Sequence, residues 1–187
     1  MGLIELLKSD LKQYYIYSNR SGKKVSTTGL WRNFIVPRCA PVGIYRLSRW
    51  LHVHNMQPIA KLLTWINFFL FGVEIASNCE IGSHFYMPHV SGTVIGAISI
   101  GHHVVIYHQV TIGAKEIMFE YEGRPTVGNH VFIASGAKVI GDITIGDGCV
   151  IAANSVVNRS TPVNSLLAGV PAKVLPLKKM PNARLFN

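Results

Sequence analysis

Glu74 and His89 are where the chain's residue types and spacing first suggest chemistry. Residues 71–92, FGVEIASNCEIGSHFYMPHVSG, place an aliphatic and a small residue every six positions, at Ile75-Ala76 and Ile81-Gly82, with Met87-Pro88 on the next beat. Glu74 stands at the first corner of that pattern, and His89 stands where the count slips by one. Imidazole titrates near neutral pH, so a histidine pushed out of a regular wall is a candidate general base. A carboxylate at its second ring nitrogen would fix the tautomer and stabilise the imidazolium. Two histidine pairs at i,i+5, His84/His89 and His103/His108, raise the alternative of metal ligation.

The elements that must hold these groups follow from the period. After the slip come Val94, Ile100, Ile106 and Ile112; residues 113–126 interrupt; then Val127, Ile133, Val139, Ile145, Ile151, Val157 and Val163 continue without a miss. Neither a helix nor an ordinary sheet has a period of six. A hexapeptide repeat does: a short flat strand plus a tight corner, three units to a triangular coil of about 18 residues. The sequence predicts a mostly β chain, a left-handed parallel β-helix with an aliphatic residue of each unit inside, and slips marking where loops leave the prism.

Three regions result. Residues 1–70 read as a basic helical region, 71–170 as the β-helix with its loop at 113–126, and 171–187 as a basic tail. LIELLKSDLKQYYIY carries Leu3, Leu6, Leu7, Leu11, Tyr14 and Tyr15 at helical spacing. APVGIYRLSRWLHVHN and IAKLLTWINFFLFGV predict two more helices. The uncharged run from Leu62 to Val73 is too short to span a bilayer. It fits a helix buried on the neighbouring domain, or one resting on an anionic membrane with Arg46, Arg49 and Lys61 nearby.

The net charge of +9 divides as +8 over residues 1–70, −3 over 71–170 and +4 over 171–187. This points to a local anionic contact, a membrane face or a phosphorylated cofactor; no nucleic-acid-binding motif accompanies the charge. Three separated cysteines, Cys39, Cys79 and Cys149, argue against a disulfide framework and fit a reducing cytoplasm. The first residues do not read as a signal peptide.

The stretches FGVEIASNCEIG, HVSGTVIG, VVIYHQVTIGA and LLAGVPAKVL resemble the serine acetyltransferase branch of the hexapeptide acyltransferases, over about residues 65–175. That branch carries an Asp where Glu74 stands and a His fifteen residues later, where His89 stands. The resemblance implies an acetyl-CoA-dependent transfer in which His89 is the base and Glu74 its partner, in a groove between subunits of a homotrimer. It departs from the branch at Pro88, where an Asp is usual, and at Arg124-Pro125, where Arg-His-Pro is usual. The helical region is also about half as long. These departures affect the amino-acid pocket or assembly, and Glu74 in its FG-x-E-I setting resembles the bacterial exopolysaccharide and capsule O-acetyltransferases, such as the colanic acid type. The expectation is therefore acetyl transfer to a hydroxyl of a surface polysaccharide or its lipid-linked precursor, with Arg124 and His108 lining the acceptor side. Serine O-acetylation, amino-sugar N-acetylation and a non-catalytic scaffold remain as alternatives.

For acetyl-CoA, small residues that let a pantetheine arm approach fall at Gly113, Ser135 and Ala153, and Lys173 is placed to meet the phosphates; Lys178 and Lys179 are weaker candidates. Hexapeptide carbonic anhydrases add a third histidine two coils before an i,i+5 pair. Here Asn67 and Val53 stand thirty-six residues before His103 and His89, so no metal is expected. His102, His103 and His130 read as corner residues.

Overall fold

The computed structural model describes residues 1–33, 36–115 and 123–177. Lys178, Lys179 and the middle of the 113–126 loop lie outside the described residues. From Val73 onward the chain winds as a left-handed parallel β-helix with three walls. The first wall stacks β1 (Val73–Ile75), β3 (Thr93–Ile95), β6 (Thr111–Gly113), β9 (Lys138–Ile140) and β12 (Val156–Val157). The second stacks β2 (Glu80–Ile81), β4 (Ser99–Ile100), β7 (Thr126–Val127) and β10 (Thr144–Ile145). The third stacks β5 (Val105–Ile106), β8 (Phe132–Ile133), β11 (Val150–Ile151) and β13 (Ser165–Gly169). It is closed by β14 (Ala172–Pro176), which among the described residues is the one strand that runs antiparallel.

The six-residue period appears as a core column: Ile106, Ile112, Ile133, Ile145 and Ile151 have no solvent exposure. At the corners, glycine lets successive coils touch. A Cβ on Gly101 would lie 2.7 Å from the Gly128 carbonyl carbon, closer than packed atoms approach. The register steps from Phe132 to Val150, one regular coil of 18 residues. From Val105 to Phe132 it steps 27, so the loop inserts nine.

Two residues of the expected inward run lie outside. Val94 is 40% exposed and Val163 is 60% exposed, whereas Ile95 is buried. The physical reason at Val94 is the corner after Pro88: Val73 faces Thr93, twenty residues on, so this coil carries two extra residues and β3 turns Thr93 and Ile95 inward instead.

Among the described residues four helices precede the prism: α1 (Leu3–Tyr17), α2 (Thr27–Asn33), α3 (Ala40–Val53) and α4 (Gln57–Phe71). α2 begins inside the polar stretch SNRSGKKVSTTG, residues 18–29. α4 ends at Gly72, whose φ of 62° is the left-handed conformation glycine adopts without strain. α1 buries Ser9, Asp10, Leu11, Gln13 and Tyr15, a partly polar face, while Ile4 is exposed. The first coil explains why. It has no coil beneath it, so its backbone groups lack the partners every later coil has. In the regular coils the His103 N–H donates to the Ser83 carbonyl, and Gly82 N–H to that of Ile100. At the open end the His84 N–H donates to Ser9 Oγ at 3.1 Å and the Phe85 N–H to Asp10 Oδ1 at 2.9 Å. Arg46 donates to the carbonyls of Ile81 and Gly82, Tyr45 Oη to that of Cys79 at 2.7 Å, and Arg49 to that of Asn78 at 3.0 Å.

Arg46 is therefore not a surface cation. It is buried and paired with Asp10 at 2.8 Å. Two of the three cations expected to support a membrane contact are committed to the prism's edge. α4 does not bury its apolar run either: Trp65, Phe68, Phe69 and Leu70 are exposed. Among the described residues no helix is long and apolar enough to cross a membrane.

Candidate active site

Each corner of the prism carries a different set of side chains, stacked in columns by the register. Between the third and first walls, Tyr86 faces Val105, Val105 faces Phe132 and Phe132 faces Val150. Three residues further along the later coils stand His108, Ser135 and Ala153; below them the two extra residues of the first coil bulge His89 outward beside His108, and Ser91 takes the paired position, its carbonyl accepting the Gln109 N–H. Coils repeat every ~4.8 Å, so the column rises about 14 Å from His89 to Ala153. Its floor is an open groove of about 550 Å³ lined by Arg38, Pro88, His89, Ser91, His108 and Gln109. His89 is exposed there, its ring edge-on to that of His108 at 5.7 Å between centroids. His108 Nδ1 is buried and has no hydrogen-bond partner.

Glu74 is at the centre of β1, with Val73 and Ile75 buried on either side and its own side chain outward. Opposite it on the next coil is Val94. The corner that carries His89 is tied to the start of this strand by the Gly92 N–H donating to the Gly72 carbonyl at 2.8 Å. Among the described residues no hydrogen bond joins Glu74 to His89.

Gly113 and Arg124 lie at another corner, between the first and second walls. Gly113 ends β6, and its carbonyl accepts the Gly141 N–H at 3.0 Å; a Cβ there would meet nothing within 4 Å. The carbonyl of Pro125, next to Arg124, accepts the Ile98 N–H at 2.9 Å. Burial pushes the nearby Cys79 thiol up to about 12 against the pull of Arg49 and Arg124, and burial pushes Cys39 up to about 12 as well. Neither thiol is a nucleophile at neutral pH. Lys173 lies on β14 opposite Ala168, exposed, beside the upper end of the His89 column.

The structure thus brings His89, His108, Ser135 and Ala153 into one column and leaves Arg124 and Gly113 one wall away. Arg38 escaped the sequence reading. Its only signal is a cation after Pro37, just before α3; its position in the His89 groove comes from packing. The third corner, between the second and third walls, holds His84, His103 and His130 in a column of its own.

These features match known proteins. Residues 124–159 fit the family model described as bacterial transferase hexapeptide (six repeats). A serine acetyltransferase of Mycobacterium tuberculosis is 35% identical over 161 residues, covering 86% of this chain and 70% of that protein. One from Helicobacter pylori is 39% identical over 132 residues, covering 70% of this chain and 77% of that protein. A solved serine acetyltransferase in complex with CoA superposes with a TM-score of 0.78 at 26% identity, over 92% of this chain and 69% of that one.

These likenesses correct the expected polysaccharide acceptor, since these relatives are serine acetyltransferases. The departures that suggested a glycan do not require one: a guanidinium such as Arg124 pairs with a carboxylate at least as well as with hydroxyls. The chain belongs to the serine acetyltransferase family of hexapeptide-repeat transferases.

Proposed function

We propose that this protein is a serine O-acetyltransferase, moving an acetyl group from acetyl-CoA to the hydroxyl of L-serine. The likeness to serine acetyltransferases over most of the chain carries the reading, and the His89 column supports it. When bound, acetyl-CoA supplies an activated acetyl thioester and leaves as CoA thiol. The chain's part begins with the column itself, where small Ser135 and Ala153 above the two histidines leave room for an extended arm. The unpartnered Nδ1 of His108 fits a groove that takes up a polar ligand. Lys173, near the top, gives an anionic end of the donor a cation.

At the floor His89 acts as the base. A hydroxyl is a weak nucleophile at neutral pH, so its proton must move to imidazole as the oxygen attacks. His89 then holds that proton where the thiol leaves. Glu74, on the strand tied to this corner, is the positioning residue, orienting the ring and stabilising its cationic form. Arg124 receives the serine carboxylate through its planar donors, with Arg38 adding positive charge to the groove.

Arg124 and His89 occupy different corners of one chain, so the site is completed in a homotrimer, where one chain's His89 corner faces the loop corner of the next. The test is CoA release in the presence of L-serine, sugar nucleotides and isolated glycan repeat units in turn. Serine should be the acceptor, and His89→Ala should lower kcat by about 10²–10⁴ with the fold intact. Transfer to a glycan with none to serine would overturn the reading.

A further inference from the structure

The corner opposite the catalytic column carries four of the chain's eight histidines. His84, His103 and His130 stack coil above coil: the rings of His84 and His103 lie 4.2 Å apart at 7°, and those of His103 and His130 lie 4.9 Å apart at 12°. All three adopt left-handed backbone, with φ of 59°, 56° and 55°. Such a φ is uncommon outside glycine, although histidine, like asparagine, is enriched there. His102 stands beside His103, with Nδ1 to Nδ1 at 2.9 Å, a contact that needs one proton between two lone pairs. One ring nitrogen from each of His102, His103 and His130 falls within 4.8 Å of the other two.

We propose that His102, His103 and His130 form a binding site for a borderline divalent transition-metal ion such as Zn²⁺, separate from the acetyl-transfer site. Tetrahedral zinc holds imidazole nitrogens at 2.0–2.1 Å, which sets them about 3.3 Å apart, so small ring rotations close the set. Neutral imidazoles suit zinc, nickel and copper and not the oxygen-seeking calcium or magnesium. Exposed His102 leaves the fourth position to water, and the His84 ring backs that of His103. The site would join the coil of His102 and His103 to the coil of His130. Those are the two coils between which the 113–126 loop leaves the prism, so the ion would clamp the base of the loop that carries Arg124.

The experiment uses the full chain without a polyhistidine tag, stripped with chelator and titrated with Zn²⁺ by calorimetry and with Co²⁺ by visible absorption. The expected result is one ion per chain and a higher Tm when loaded. His102→Ala, and His130→Asn, which tolerates the left-handed backbone, should each weaken binding by at least about 10-fold. His89→Ala should leave it unchanged. Absence of uptake by the wild type, wild-type affinity in either corner variant, or loss of binding in His89→Ala would each overturn the site.

Discussion

The prism and the helices ahead of it treat apolar side chains in opposite ways. In the β-helix Ile133, Ile145 and Ile151 are fully enclosed, each roofed by the next coil. On α4, Trp65 is 64% exposed, Phe69 79% and Leu70 68%. The groups the helices do bury against the prism include Ser9, Asp10, Tyr45 and Arg46, and these pair with backbone groups of the first coil. The contrast teaches that the helical region's task toward the prism is to finish an edge. A solenoid propagates its own core, but its first coil always leaves a row of unmatched donors and acceptors.

That contrast can be broken most forcefully at Arg46. Arg46→Ala removes the partner of a buried carboxylate together with the donors to Ile81 and Gly82. It should destabilise the chain by about 3–5 kcal/mol, read as a lowered denaturation midpoint. A cost near zero would mean that the edge needs no cap. Ile133→Ala sharpens the other side, with an expected loss of about 2–5 kcal/mol from the cavity it opens. Trp65→Ser on exposed α4, by comparison, should change the chain's stability by no more than about 0.5 kcal/mol.

A smaller effect tests the histidine corner in the absence of metal. Burial, with the neighbouring His84, His130, His102 and Lys12, pushes His103 down to about 4. In the unfolded chain it returns to about 6.5, so between those values the unfolded state binds more protons. Stability should be full above about pH 6.5 and decline as pH falls toward 4. His103→Asn, which keeps the left-handed backbone accessible, should flatten that part of a Tm-against-pH curve.

The fold was legible in the sequence because each hexapeptide unit spends one residue on the core, and Ile133 through Ile151 recur on schedule. It misled at Val94, where two extra residues in the His89 corner shift the inward set to Thr93 and Ile95. Arg46 and Arg49 read as surface charge because their partners are mainly backbone carbonyls of a free edge, which leave no mark in residue types. The histidine column was hidden by spacing: nineteen residues separate His84 from His103, and twenty-seven separate His103 from His130, because the loop lies between. The alignment of His89, His108, Ser135 and Ala153 emerges only once the register is known. The acceptor is not legible in the sequence, because Pro88 removes a charge that would pair with an ammonium, Arg124 suits a carboxylate and sugar hydroxyls alike, and Arg38 enters the His89 groove only through packing.

The central claim is that one catalytic site takes His89 from one chain and Arg124 from its neighbour. Its most direct test is serine-dependent CoA release, at limiting serine, by trimers reassembled from equal amounts of His89→Ala and Arg124→Ala chains. If the corners meet between chains, random assembly restores both groups in about one quarter of the sites, and the mixture should regain about a quarter of wild-type activity. A mixture no more active than the two variants measured separately would contradict the shared site.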